Sequence, residues 1–347
     1  MQVEQDSTTS LWVSLEHELG LADRYTILSR IGAGGMGEVF RARQTTIERE
    51  VAIKILAPEV QGSPEASKRF LREARVLSTL QHPHIVKLYS FGIANNRPYQ
   101  IMDYLDGISL ATRLEQGPLS LPEFAIVFSQ LLDALQYASA QGLVHRDIKP
   151  NNFFLCRQSD GSLHAVLLDF GLVRQLEAGS ETLTATQTVL GSPPYMSPEQ
   201  CKGAAVDSAS DMYSLGCTMY ESLTGTPPFA SDTIGEILLK HLNEPAPQLQ
   251  AFRKDTPQDV SLTHVIHQCL EKVASARPQS FEVLKTQLTA ALDSTPNDVV
   301  FKPPKQKATS NKTTFKLNLA TVALLCLAIP VGLRLFDQRS AARQFAS

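Results

Sequence analysis

Eight consecutive residues, 145–152 (HRDIKPNN), limit what this chain can be more than any other stretch. They set a carboxylate, a cation and a carboxamide at fixed offsets, and Pro150 stiffens the turn between them. Asp147 can take a proton from an incoming hydroxyl. Lys149, two residues on, alternates to the same side of an extended loop and can neutralise a transferring phosphoryl group. Asn152 offers a hard oxygen ligand suited to Mg²⁺. The triplet His-Arg-Asp alone occurs by chance in many chains. The full stretch is much rarer, and its meaning depends on partners elsewhere in the sequence.

The chain has 347 residues, room for two lobes of ordinary size and a tail. With 43% hydrophobic and 19% charged residues it has the composition of a folded globular protein. A net charge of −3 and the lack of a basic stripe through the body argue against a nucleic-acid partner. Five cysteines at irregular spacing, with no C-x-x-C pair, suit free thiols in a reducing compartment and neither a disulfide framework nor a zinc site. The first ten residues are polar and acidic, unlike a signal peptide.

Residues 1–24 read as a leader. Leu11, Leu15 and Leu19 repeat at helical spacing, which predicts a short amphipathic helix resting on the domain. From Tyr25 the pattern changes to short strands. An alternating apolar run over 25–31 leads into Gly32, Gly34 and Gly37, a G-x-G-x-x-G spacing. Such a spacing followed by a helix would indicate a dinucleotide fold. Here the strand-like Val39, Phe40 and Ala42 follow, so the glycines close a strand–loop–strand hairpin in which backbone N–H groups can approach phosphates. The next strand, 51–56, is apolar except for Lys54, and a lysine inside such a strand needs a partner. Of the nearby acids, Glu73 lies on the inward side of a predicted helix over 65–80, between Phe70 and Leu77, so a Lys54–Glu73 ion pair is expected.

Two further strands are predicted at 85–89 and 99–102, split by a polar turn at 95–98. A linker over 103–107 leads to a helical region. Backbone groups of Asp103 and Leu105 are placed for an adenine edge, with Met102 behind it. A long apolar-periodic helix over 120–142 ends at Gly142 and delivers the chain to residues 145–152. After Asn152 a hairpin closes near Asp160-Gly161, and its return strand, 165–168, ends in Asp169-Phe170-Gly171. Asp169 is the second expected Mg²⁺ ligand.

With these motifs in order, residues 25–292 resemble the eukaryotic-like (Hanks-type) protein kinases, and within them the membrane-anchored bacterial serine/threonine kinases. The resemblance implies an α+β, two-lobed fold: a β-rich N-lobe over about 25–103 and a helical C-lobe over about 104–292. It implies ATP with Mg²⁺ (or Mn²⁺) in the cleft and protein Ser/Thr hydroxyls as acceptors. Residue by residue, it makes Asp147 the base, Lys149 the phosphate stabiliser, and Asn152 and Asp169 the metal ligands. Lys54, held by Glu73, becomes the ATP anchor. Ile31, Val39, Ala52 and Phe154 would sandwich the adenine, Phe154 being bulkier than the usual aliphatic residue. Asp211 would hold the loop backbone, Glu199 would pair with Arg277, and Ser192 would bridge Asp147 and Lys149. Dimerisation through the N-lobes is a further family expectation.

The segment from Asp169 to Glu199 holds seven Ser/Thr hydroxyls, five of them at Ser180, Thr182, Thr184, Thr186 and Thr188, and Thr184 and Thr186 resemble the T-x-T autophosphorylation sites of bacterial homologues. A phosphate there would carry about −1.5 to −2 charge and seek an arginine, for which Arg146, next to Asp147, is the candidate. The spacing from Asp147 to Asp169 is longer than usual, the excess falling in the 157–163 hairpin.

Past Leu292 the composition changes. Residues 293–316 are polar and carry five lysines, a flexible basic linker. Residues 317–333 are uncharged and apolar apart from Asn318, about 26 Å as a helix. A transmembrane helix over 317–336 is expected, with Arg334 snorkelling. A short extracytoplasmic tail, 337–347, follows. The lysines place the kinase side in the cytoplasm, under an inner or plasma membrane. Two rival readings fit the sequence less well. A membrane-tethered pseudokinase scaffold would lack a catalytic Lys, Asp or Asn, and none is missing. A small-molecule phosphotransferase of related fold would lack the segment running through Ser197-Pro198-Glu199.

Overall fold

The computed structural model describes residues 21–34, 37–56, 64–169, 192–249 and 257–293. They form two lobes. The first is an antiparallel five-stranded sheet of order β1-β2-β3-β5-β4, built from β1 (Tyr25–Gly34), β2 (Gly37–Gln44), β3 (Arg49–Leu56), β4 (Leu88–Ala94) and β5 (Arg97–Asp103). Turn chemistry sets the β4–β5 pairing. Asn95 and Asn96 both take left-handed backbone, φ 44° and 66°, which joins β4 to β5 as a tight hairpin. Gly37 is required for a different reason from phosphate approach. Its φ is +150°, and a Cβ there would lie 2.0 Å from the carbonyl oxygen of Ile55. The strand pairing itself excludes a side chain.

Central β3 explains its own sequence. Val51, Ile53 and Ile55 face one core cluster with Tyr25, Ile27, Phe40, Ala42 and Ile101. Ala52, on the opposite face, belongs to the larger cluster that continues into the second lobe, and Lys54 follows it on that face. Helix α1 (Pro64–Leu77) covers this side through buried Phe70, Ala74 and Leu77. It stops before the predicted end at residue 80.

The second lobe begins with β6 (Gly107–Ser109) and α2 (Leu110–Leu114), followed by α3 (Leu121–Ala140). Helix α3 starts at a reciprocal capping box between Ser120 and Glu123, and Gly142 at φ +74° turns the chain out of it. Its buried stripe of Phe124, Val127, Phe128, Leu131, Leu132 and Leu135 is the axis of the lobe. Strands β7 (Phe153–Arg157) and β8 (Leu163–Leu167) form the predicted hairpin, turning at Gly161 with φ +82° and pairing as β6-β7-β8. The α1–β4 linker is stitched to β8: Val86 N–H donates to Leu167 O and Leu167 N–H to His84 O, each at 2.9 Å.

The rest is helical: α4 (Pro198–Cys201), α5 (Ser208–Thr224), α6 (Ile234–Asn243), α7 (Pro257–Cys269) and α8 (Phe281–Asp293). Helix α5 is buried along nearly its whole length and packs on α7. Among the described residues no helix is long and apolar enough to cross a membrane. The expected span at 317–336, its flanks from residue 294, most of the leader, and Thr184 with Thr186 all lie outside the described residues.

Two helical glycines make opposite predictions. A Cβ on Gly216 would sit 2.8 Å from Cys269 Cβ, so Gly216→Ala should destabilise by about 1–3 kcal/mol through overpacking. Gly235 faces open space, so Gly235→Ala should be neutral or stabilising by up to about 1 kcal/mol. Thermal melts of the two variants beside wild type check the contrast, and equal shifts would contradict the α5–α7 packing.

Candidate active site

The 145–152 loop is held from beneath. Asp211, buried in α5, accepts the backbone N–H groups of His145 at 2.6 Å and Arg146 at 2.7 Å. Arg146 takes a left-handed backbone, φ +68°, which is costly for a side chain with a Cβ and persists because those two bonds fix it. Burial pushes the Asp211 carboxyl up to about 7, while the two backbone donors and the Arg146 charge hold it down. Buried His145 accepts the Asp147 N–H on Nδ1 at 3.3 Å. Ile148 and Pro150 are buried, so Asp147 and Lys149 are left at the cleft.

The cleft groups converge. Lys149 Nζ lies 2.9 Å from Asp147 Oδ2 and donates to Ser192 Oγ at 2.9 Å. Ser192 Oγ in turn donates to Asp147 Oδ1 at 3.4 Å. Asn152 spends its Nδ2 on the Asp147 carbonyl at 2.7 Å and on Oδ2 at 3.2 Å, so the amide oxygen is turned away from Asp147. Asn152 O accepts the Leu168 N–H at 2.8 Å, which sets Asp169 beside it.

Lys54 Nζ is 2.5 Å from Asp169 Oδ2, a bridge between the two lobes. The Glu73 side chain lies outside the described residues; among the described residues Lys54 pairs with Asp169. At 39% side-chain exposure Asp169 remains open to the cleft. Of the predicted adenine-facing residues, Ala52 and Met102 belong to the core cluster spanning the lobes, with Val39 and Leu105 packed against it. Ile31 is 47% exposed on β1, and Phe154 is half-buried on β7. Gly32 and Gly34 end β1. The Asp103 N–H is spent on Lys87 O at 3.0 Å, and its carboxylate accepts the Tyr89 hydroxyl.

A second buried ion pair carries the loop that follows Ser192. Arg277, 1% exposed, meets Glu199 with two parallel bonds of 2.7 and 3.0 Å and also donates to the carbonyls of Ala209, Glu271 and Lys272. Burial alone would raise the Glu199 carboxyl, but the Arg277 and Ser210 hydrogen bonds outweigh it and hold the group below its usual range. Gln200 ties this segment back by donating to Arg146 O at 3.0 Å.

Residues 25–289 match the protein kinase domain. The chain belongs to the protein kinase family. It is 36% identical over 288 residues to a probable serine/threonine-protein kinase of Streptomyces coelicolor, covering 81% of this chain and 42% of that one. It is 36% identical to the serine/threonine-protein kinase PrkC of Bacillus subtilis, covering 79% and 41%, and 35% identical to PknB of Mycolicibacterium smegmatis, covering 77% and 43%. The chain thus spans about two fifths of the length of these relatives. The crystal structure of the Mycobacterium tuberculosis PknI kinase domain superposes with a TM-score of 0.60 at 28% identity, covering 77% of this chain and 95% of that one.

Kinase membership brings ATP and a divalent metal ion with it. The residues present fit such an ion. Asp169 offers an exposed carboxylate, and Asn152 an amide oxygen left over from its bonds to Asp147. Among the described residues no group of three or more His, Cys, Asp or Glu forms a cage, so further ligands would come from phosphate and water, as hard small cations prefer.

Sequence reading missed two features here. Tyr89 latches the Asp103 carboxylate, and Tyr213, His241 and Lys272 form a buried cluster under the Ser192 loop. Neither has a motif, because the first joins the two strands of a hairpin and the second joins three separate segments.

Asp211→Asn cannot accept one N–H on each of its terminal atoms, since one of them becomes a donor. The variant should keep ATP affinity and lose kcat by about 100-fold through a misplaced loop. Nucleotide titration and steady-state kinetics on the same preparation check it; an unchanged kcat would remove Asp211 from this role.

Proposed function

We propose that this chain is a serine/threonine protein kinase, transferring the γ-phosphoryl of ATP to Ser or Thr hydroxyls of proteins. The observation that carries the reading is a hydroxyl, Ser192 Oγ, held between Asp147 and Lys149. A base and a phosphate-neutralising cation that converge on one hydroxyl are what alcohol phosphorylation needs. The relatives' names point the same way. Nothing favours a pseudokinase scaffold.

In this proposal Asp147 orients the acceptor hydroxyl and takes its proton. The acceptor oxygen bonds to phosphorus while the bond to the bridging oxygen of ADP breaks, and Lys149 balances charge on the transferring group. Lys54 anchors the α- and β-phosphates. Val39, Ala52, Met102, Leu105, Ile31 and Phe154 wall the adenine, and Gly32, Gly34 and Gly37 line the phosphate side. Asn152 and Asp169 would hold Mg²⁺ or Mn²⁺, whose charge would offset that of the phosphates. Phosphorylation of Thr184 and Thr186, read by Arg146, would regulate the enzyme, and Glu73 would hold Lys54 in an ion pair. The 317–336 segment would anchor the kinase to an inner or plasma membrane with its catalytic side cytoplasmic. Dimerisation through the N-lobes belongs to the proposal on family grounds.

Labelling of a generic protein acceptor by full-length wild type should fall about 10²- to 10⁴-fold in Asp147→Asn and collapse in Lys54→Met. Equal labelling by all three proteins would refute the assignment. Truncation after Leu292 should move the protein from the membrane pellet to the supernatant; a truncated protein that still sediments with membranes would refute the anchor.

A further inference from the structure

Behind the segment that follows Ser192 lies a polar chain that the phosphoryl-transfer chemistry does not use. Lys272 Nζ, half-buried, donates to Tyr213 Oη at 2.9 Å. Tyr213 Oη is 2.9 Å from His241 Nδ1. Tyr213 and His241 are both 0% exposed. The Phe229 ring closes the cluster, 4.2 Å from Lys272 Nζ and 4.9 Å from the His241 ring. The far nitrogen, His241 Nε2, is fully buried and meets no acceptor at full hydrogen-bond geometry among the described residues. Helix α6, which carries His241, packs on the Pro193–Tyr195 turn, so the backbone nearest the ring is that of Pro193 and Pro194.

Two constraints favour one arrangement of the protons. Pro193 and Pro194 have no N–H, so the backbone groups they present to the ring can only accept, which favours a hydrogen on Nε2. Nδ1 is then an acceptor, and the Tyr213 hydroxyl must donate to it. Lys272 can only donate, which orients the Tyr213 hydroxyl in the same sense. The chain therefore points one way, from Lys272 through Tyr213 and His241 toward the Pro193–Tyr195 turn. That turn begins beside Ser192, which touches Asp147 and Lys149. It borders the place where an acceptor peptide must bring its hydroxyl.

We infer that Lys272, Tyr213 and His241 form a donor relay that positions the Pro193–Tyr195 turn for the acceptor protein, with the His241 Nε2–H poised to close on a proline carbonyl when the acceptor docks. The inference rests on the kinase reading above. A buried donor left without a partner is costly, so closing that bond favours the docked turn. Hydrogen bonds that serve catalysis are often long before the substrate binds.

The relay has a pH signature. Groups facing Lys272 are Tyr213 and Cys217 from α5, Cys201 from α4, His241 from α6, Glu244 just past its end, and Arg277. Burial pushes Lys272 down to about 8, while burial raises Cys201 to about 11 and Tyr213 and Cys217 still further. Burial also lowers His241 to about 4, so its ring is neutral at working pH. Lys272 is then the member that loses charge first. The relay is complete below pH about 8 and weakens as pH rises through it.

The test uses the full chain with dephosphorylated casein as acceptor. In ¹⁵N-histidine-labelled wild type, His241 should show the Nε2–H tautomer. Tyr213→Phe should mix the tautomers and raise the KM for casein about fivefold, the worth of one hydrogen bond, with kcat and the KM for ATP unchanged. Wild-type casein KM should climb above pH 8, and Lys272→Arg, which stays charged, should flatten that climb. An Nδ1–H tautomer in wild type, equal rises in both KM values for Tyr213→Phe, or the same alkaline climb in Lys272→Arg would overturn the relay. If wild type transfers no phosphate, the kinase reading fails, and the tautomer measurement still decides the relay.

Discussion

The structure depends on a buried carboxylate receiving two backbone N–H groups. Asp211 sits inside α5, the most enclosed helix of the C-lobe, and its oxygens fix His145 and Arg146. Without that contact, a left-handed Arg146 has nothing to oppose its backbone cost, and Asp147 has no fixed position. Placing a carboxylate in the core is expensive, and here two hydrogen bonds offset it. Arg277 and Glu199 repeat the arrangement a few ångströms from α5, where Arg277 also holds Ala209 O. One anchor fixes the loop that carries the base, the other fixes the segment that carries Ser192. The two segments then meet through Gln200 and Arg146.

The cleft is organised around charge sharing. Lys54 is on central β3 and Asp169 follows β8, 115 residues later, yet their side chains meet at 2.5 Å. Each would otherwise seek phosphate or metal. Their mutual pairing keeps a half-buried lysine satisfied while the carboxylate stays open to the cleft. Lys149 and Asp147 do the same one step deeper, with Ser192 as the third member. The lobes are coupled by the Lys54–Asp169 pair and by the backbone bonds between the α1–β4 linker and β8.

Much of this was legible from local pattern. The β-hairpin at 157–163, the long helix capped by Ser120, and the strand carrying Lys54 follow from turn chemistry and periodicity. Boundaries were less legible: α1 stops at Leu77, and β4 begins at Leu88 instead of residue 85, because pairing and not propensity sets the ends. The reason for Gly37 was legible only in part. Its spacing pointed to phosphate, but the fold adds the close pass of Ile55 O.

The amino-acid sequence by itself determined which side chains carry the chemistry, since Asp147, Lys149 and Asn152 lie within one short loop whose spacing aligns them. It also determined the family, because the motifs come in a fixed order. Tertiary structure decided who holds whom. Lys54 meets Asp169 and Asp103 is latched by Tyr89, while a lysine, a tyrosine and a histidine from three separate segments line up behind Pro193. The physical reason is that buried polar groups must find partners wherever packing brings them together, and packing joins residues that no local spacing connects.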